Sequence, residues 1–540
     1  MVVLVRRWWP LVLITLAAFW LRTHDLARRP MHADEANNAV MTGELLESGR
    51  YAFDPSDHHG PTLYYAALPV AWIRGEKSLA QLSEVSVRLV PAIFGTLGVI
   101  LLAVFARGLT SGDGASRKLA PSDGEAEDAG VPWAAMAAAA FMAVSPPAVY
   151  YSRYYIQETL LVTFTLATLV CAQQWWRRQQ TSWAIGTGIC IGLMQATKAS
   201  APLFLVLAAA AIVVAIRLRP RTEESVGGPR TDSAGRRSGW RAAGVAALAA
   251  VITALLLYSS FGTNPRGIVD ALGVYLHAAT RFGGDAAPTG HEHPWWYYLR
   301  LFGWFRAGGL VWHQVAFSGL AVIGFVVAAV RVLRRRTITA PPDTTFISGV
   351  ALYTLLVVAV YSWFAYKTPW HVVHFVPGLA LLTAAALAAV SNLDTGKFVA
   401  IAFALVTLGT MYQQTGRVAF LRPADARNPY AYVHSSADVL KFRPLAKAAL
   451  ARAPDQPVHV IIERREYWPL PWYFRGLPNV GYWPEVPADC DGALVIASQT
   501  TAEAVRARLR GRYRESFLGL RPDFVCIIFT PLEGTEGGRE

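Results

Sequence analysis

The sequence predicts a polytopic α-helical membrane protein of about eleven transmembrane helices (11–13), closed by a small extracytoplasmic C-terminal α/β domain. Three observations carry this. The 540 residues are 54% hydrophobic and only 16% charged, with a mean hydropathy of +0.31; soluble domains carry roughly 25% charged residues. Apolar runs near the ~20 residues a bilayer requires recur along the chain. After about residue 418 the pattern changes to short apolar runs separated by polar turns. Disorder, a fibre and a small disulfide scaffold are excluded.

The spans are expected at about 8–21, 86–107, 131–150, 157–175, 181–196, 200–218, 242–260, 314–333, 346–365, 371–390 and 397–413. Two shorter apolar stretches, 62–73 and 299–312, read as interfacial or re-entrant segments. Arg6 and Arg7 precede the first run, and no small-residue cleavage site follows cleanly. A retained first helix is therefore preferred over a signal peptide. With the N-terminus in the cytoplasm, the loop 217–241, with seven arginines, falls on the cytoplasmic side. So do Arg177, Arg178, Arg331 and Arg334–Arg336, as the positive-inside rule demands. The outer side then receives 22–85, 151–156, 261–298 and everything after about 414. This gives a transmembrane domain, 1–418, with outer loops 22–85 and 261–298, and a soluble domain, 419–540.

The net charge is +13, from 50 basic and 37 acidic residues. Residues 421–540 hold 16 basic and 14 acidic, so +11 sits in the apolar part. That location fits membrane topology and not nucleic acid binding. Loops 108–130 and 220–240 lack any apolar period and read as solvated spacers. In the C-terminal part, Val458–Glu463, Ala493–Ser498 and Phe524–Phe529 read as strands and Ala502–Arg510 as a helix. Cys171 and Cys190 lie in apolar runs; Cys490 and Cys526 either pair or are buried thiols.

Every cluster of polar residues falls on the predicted outer face. His32-Ala33-Asp34-Glu35 follows the first span. Adjacent carboxylates there suit a general base or metal ligands, and equally an acidic helix N-terminus. Asp57-His58-His59-Gly60-Pro61 fits a polar substrate, a metal, or a turn into an interfacial helix. Arg153 and Glu158 flank a very short loop at the membrane boundary, where an ionisable group marks either a functional site or a snorkelling side chain. Lys198, between two apolar runs, suits a phosphate, and Lys367 repeats the pattern with His371 and His374 close behind. Topological anchoring explains these lysines poorly, because cations are disfavoured outside. His291-Glu292-His293-Pro294-Trp295-Trp296 offers aromatic faces for a sugar or an interface belt; His-x-His alone is weak for metal. Because the spans are nearly free of charge, the chemistry reads as interfacial, which suits an enzyme handling a lipid-linked substrate and not a translocation path.

These residues resemble the GT-C glycosyltransferases, the superfamily of protein O-mannosyltransferases and aminoarabinose transferases. The resemblance rests on Asp34-Glu35, on His59-Gly60-Pro61 with Leu63-Tyr64-Tyr65, on Ser152-Arg153 with Glu158, on Thr197-Lys198, and on Lys367-Thr368-Pro369-Trp370 with His374. His293-Pro294-Trp295-Trp296 and Asn428-Pro429-Tyr430 are similar to a prokaryotic group of flippase-activity-associated membrane proteins. The resemblance covers about residues 1–435. It implies a polyprenyl-phosphate sugar donor, a lipid, glycan or protein acceptor, and an extracytoplasmic active site in the plasma membrane. It implies Asp34 as catalytic base, beside Glu35. His58, His59, Arg153, Glu158, Lys198, Lys367, His371, His374, His293 and Trp295 are the substrate-binding candidates. Some members of the superfamily use a divalent metal, for which Glu35, His58 and Glu158 are the candidates. Two other readings stay open: a flippase or flippase accessory for lipid-linked sugars, and a non-catalytic assembly protein.

Overall fold

The computed structural model describes residues 2–54, 59–110, 132–218, 233–282, 291–334 and 343–532. Asp57 and His58, most of the two spacer loops, and Arg335 and Arg336 lie outside these. The chain forms two compact units. The first holds Met1–His24, Arg50–Ala66 and Arg88–Leu421; the second holds Asp25–Gly49, Ala67–Val87 and Arg422–Glu540. The second unit therefore joins two stretches of the loop that follows the first helix to the C-terminal part.

In the first unit a helix occupies each of the eleven predicted runs: Val2–Thr23, Glu84–Thr110, Trp133–Val144, Glu158–Arg178, Thr181–Gln195, Ala201–Arg217, Ser233–Tyr258, Val315–Arg334, Asp343–Trp363, Val376–Ser391 and Gly396–Thr415. Four segments, Glu84–Leu109, Gly239–Tyr258, Val315–Leu333 and Gly396–Leu421, are long and apolar enough to cross a bilayer on their own. Large apolar side chains such as Leu16, Leu248, Val251 and Ile401 face outward. Water would penalise that arrangement and hydrocarbon favours it. Gly188 and Gly192 let Thr181–Gln195 pack against Ser233–Tyr258: a Cβ at either would meet the Ala246 or Ala250 carbonyl at 2.1 or 2.5 Å. Small residues four apart serve this close approach in membranes.

Three predicted runs differ in detail. The run 131–150 breaks at Ser145, where Pro146 and Pro147 start a new short helix, Pro146–Tyr151. Proline at a helix start has no N–H to leave unpaired. The run 371–390 begins as a 3-10 turn, Pro369–His374, before the α-helix Val376–Ser391. The stretch 299–312 is a short helix, Tyr297–Phe302, followed by the antiparallel hairpin β1 (Trp304–Ala307) and β2 (Leu310–His313). Gly308 and Gly309, both at positive φ, make its turn.

The second unit carries β3 (Val458–Ile461), β4 (Val480–Trp483), β5 (Leu494–Ala497), β6 (Tyr513–Arg521) and β7 (Phe524–Pro531), in the sheet order β4-β3-β5-β7-β6. β3 lies parallel to both β4 and β5, whereas β7 runs antiparallel to β5 and β6. The central strands β3 and β5 are buried along their whole length, as a parallel pair requires. Ile461, Val495, Ala497, Val505, Ile527 and Phe529 form the core. Cys490 and Cys526 are both buried free thiols. The helices Ala33–Ser48 and Val439–Arg452 belong to this unit.

Candidate active site

The acidic pair of the first loop opens the helix Ala33–Ser48, and the two carboxylates have different surroundings. His32 is the N-cap. Its Nδ1 accepts the Asp34 N–H at 3.0 Å, and the Glu35 carboxylate accepts the His32 N–H at 3.2 Å. This is a capping box with histidine in the place usual for serine or threonine. The other Glu35 oxygen accepts a bond from Arg29 at 3.1 Å, with the side chains 0% and 7% exposed. Glu35 is thus committed to holding the turn. The Asp34 side chain is 51% exposed. Its carboxylate lies 3.9 Å from His32 Nδ1, but that nitrogen is already an acceptor and offers no proton. Burial lowers the pKa of His32, against the opposing effect of Asp34 and Glu35. The neighbouring His434 is held well below its ordinary value, again chiefly by burial and then by Arg29.

This division makes a stability prediction. Glu35→Gln removes the carboxylate charge that faces buried Arg29, and breaking a buried ion pair from one side costs about 3–5 kcal/mol. A thermal melt of the variant should show a clear loss of stability; an unchanged melt would contradict the assigned role.

In the first unit several of the other candidates converge. Glu158, at the start of Glu158–Arg178, forms an ion pair with Lys198, in the turn before Ala201–Arg217. Both are largely buried, at 2% and 12% side-chain exposure. The Gly60–Thr62 segment is stitched to the same turn: the Gly60 N–H donates to the Thr197 carbonyl at 3.2 Å and the Thr62 N–H to the Ala196 carbonyl at 3.1 Å. A Cβ at position 60 would sit 2.1 Å from the Ala196 oxygen, so this approach requires glycine. His59, beside it, is exposed.

The 3-10 turn Pro369–His374 brings in the two histidines. His371 Nδ1 lies 3.1 Å from the Tyr298 hydroxyl and 3.2 Å from Thr368 Oγ1. The His374 ring packs on Phe204, with centroids 4.5 Å apart. Its Nε2 is buried and has no hydrogen-bond partner among the described residues. Both histidines face Tyr361 and lie within electrostatic reach of Lys198.

Four candidates sit elsewhere. Arg153 donates to the carbonyls of Leu21, Arg22 and His24 (3.2, 3.4 and 2.5 Å) and lies over the Phe420 ring. It closes the C-terminus of the first helix. Lys367 donates to the carbonyls of His293 (2.9 Å) and Phe364, tying the 291–293 stretch to 364–368. The His293 ring stacks on Tyr297, and Trp295 is exposed.

An apolar cavity of about 740 Å³ adjoins the histidine end of this cluster. Val162, Leu166, Phe204, Ala211 and Leu381 line it, and His374 contributes its ring. Along Glu158–Arg178 the lining runs from Val162 to Arg177, which at the helical rise is roughly 22 Å. Val162, at one end, follows Glu158 by four residues on the same helix, and the lining beyond it is mostly apolar, with Thr165, Gln173 and Arg177 among its polar members.

The comparisons with known proteins agree with this architecture. Crystal structures of ArnT from Cupriavidus metallidurans superpose with TM-scores of 0.59 (apo) and 0.58 (bound to undecaprenyl phosphate). Their identities are 15% and 14%, covering 96% of this chain and 97% of theirs. This chain has the GT-C fold. The oligosaccharyltransferase of Archaeoglobus fulgidus, another GT-C enzyme, gives 0.53 at 14% identity over 98% of this chain and 76% of that one. The family model for dolichyl-phosphate-mannose-protein mannosyltransferase matches residues 127–260. A comparison with curated protein sequences gives no match.

Within the GT-C fold, the described residues fit a metal poorly. Glu35 is spent on Arg29 and Glu158 on Lys198; His58 lies outside the described residues. No group of three His, Cys, Asp or Glu side chains comes together among the described residues. The sequence also hid several contributors. Tyr361 and Phe204 sit in apolar runs with no local sign of a site, whereas Tyr298 closes the aromatic series that begins at His291. Arg29 carried a signal, a cation six residues before Glu35, that needs the three-dimensional turn to be read.

Proposed function

We propose that this chain is an integral membrane glycosyltransferase. It moves a sugar from a polyprenyl-phosphate donor to an acceptor hydroxyl on the extracytoplasmic side of the plasma membrane, with eleven spans as the hydropathy predicts. The observation that supports this best is the long apolar cavity lined by His374, whose Nε2 has no hydrogen-bond partner among the described residues, with Glu158, the partner of Lys198, one helical turn before the lining residue Val162. An amphipathic ligand with an anionic head and a hydrocarbon tail matches that layout. The binding of undecaprenyl phosphate by the ArnT fold relative points the same way.

In this reading Asp34 takes the proton from the acceptor hydroxyl. The oxygen attacks the anomeric carbon, and the bond from that carbon to the phosphate oxygen breaks. The departing polyprenyl phosphate carries the electron pair, and Lys198 stabilises its growing charge. His371 and His374 order the head-group end.

The test uses purified protein in nanodiscs, a panel of radiolabelled polyprenyl-phosphate hexoses and pentoses, and membrane extract as acceptor source. Labelled product that depends on Asp34 supports the reading. Translocation of the labelled lipids without a new glycosidic bond replaces it with a flippase.

The cavity makes its own prediction. Ala211→Trp fills its wall, so KM for the donor should rise about tenfold or more, with kcat little changed at saturating donor, because the lost contacts are remote from the reacting bond. Unchanged donor KM would place the tail elsewhere.

A further inference from the structure

We propose that the C-terminal part of the chain holds the catalytic turn in place, with Tyr473 and Ser435 as positioning residues for Asp34. The local capping of Ala33–Ser48 is already complete through His32, Glu35 and Arg29. One residue before that cap, Met31 is fully buried, and both of its backbone polar groups are taken by distant side chains. Its N–H donates to the Tyr473 hydroxyl at 2.8 Å, and its carbonyl accepts from Ser435 Oγ at 2.7 Å. These partners lie more than 400 residues downstream. The His434 ring then packs edge-on against His32, with centroids 5.7 Å apart.

The two partners are themselves fixed. Arg443 donates to the Tyr473 carbonyl at 2.5 Å and to the Arg475 carbonyl at 2.8 Å. Trp472 Nε1 donates to Glu84 at 2.7 Å, the Arg475 guanidinium lies 3.8 Å over the Trp472 ring, and Arg475 Nε donates to the Leu82 carbonyl. The stretches 25–49 and 67–87 of the first loop are thereby clamped to one platform. A side chain does chemistry reproducibly only when the shell behind it is rigid, and a displacement of about 1 Å can cost 10²-fold in rate. Asp34 has no hydrogen bond to its own carboxylate among the described residues, so its placement depends on the backbone. Met31 is the point at which that backbone is gripped.

The catalytic half of this proposal rests on Asp34 being the base; the positional half does not. The test takes full-length Tyr473→Phe, Ser435→Ala and the joint variant in nanodiscs, with Ser435→Thr as the conservative control. Two quantities are read: amide hydrogen exchange over residues 31–38, and kcat against KM with the donor that gives Asp34-dependent product. The joint variant should speed exchange of the first-turn amides about tenfold and lower kcat about 10–100-fold, with KM near wild type. Exchange over β3 and β5 should stay unchanged, and Ser435→Thr should behave as wild type. Unchanged exchange at 31–38 overturns the proposal, as does faster exchange with full kcat. Full activity of Asp34→Asn would instead remove the base, while exchange at 31–38 still decides whether the clamp exists.

Discussion

Asp34→Asn is expected to lower kcat by about 10²–10⁴-fold, the usual contribution of a general base, while leaving the fold intact. The substitution keeps size and shape and removes only the ability to take a proton. The carboxylate is half exposed and accepts no hydrogen bond among the described residues, so nothing is left unpaired when it becomes an amide. The N–H of residue 34 still reaches His32 Nδ1, so the cap survives. A thermal melt should therefore move little, since surface changes of this kind stay within about 0.5 kcal/mol. KM for the lipid donor should hold, because the lost interaction belongs to the transition state. Glu35→Gln is the internal contrast: it should lower stability through Arg29 without touching the proton transfer directly. Wild-type kcat in Asp34→Asn would sink the assignment of the base outright.

Two adjacent carboxylates in a loop looked interchangeable from the chain alone. What separates them is three-dimensional: Arg29 and the His32 N–H converge on Glu35 and leave Asp34 outside. The helices were legible because a bilayer demands long apolar runs, and each of the eleven runs holds one. Short elements were less so. The hairpin β1–β2 hid in an apolar stretch that periodicity alone does not resolve, and its Gly308-Gly309 turn was the available signal. In the C-terminal part, the buried strands β3, β5 and β7 stood out as apolar runs. The edge strands β4 and β6 are only partly buried, so their sequences carry little pattern. Arg153 holds a contact that no local pattern records: its guanidinium donates to the carbonyls of Leu21, Arg22 and His24, at the end of the first helix.

The Lys198–Glu158 pair allows stability and catalysis to be separated, and there the second large effect is expected. Lys198→Met should lower kcat by about 10²–10³-fold, the usual loss when a fixed group stabilising transition-state charge is removed. It should also destabilise the protein, because Glu158 is left buried at 2% exposure without its partner. A loss of activity in the single variant is therefore ambiguous. Adding Glu158→Leu resolves it. The double variant replaces a buried ion pair with apolar groups of similar bulk, an exchange that is often neutral or stabilising. Its melt should return to near wild type. If Lys198 carries the negative charge of the leaving phosphate, activity should stay low in the double variant although the fold has recovered. A pair that serves only the structure would instead return both together, and Lys198 would lose its proposed role toward the leaving phosphate.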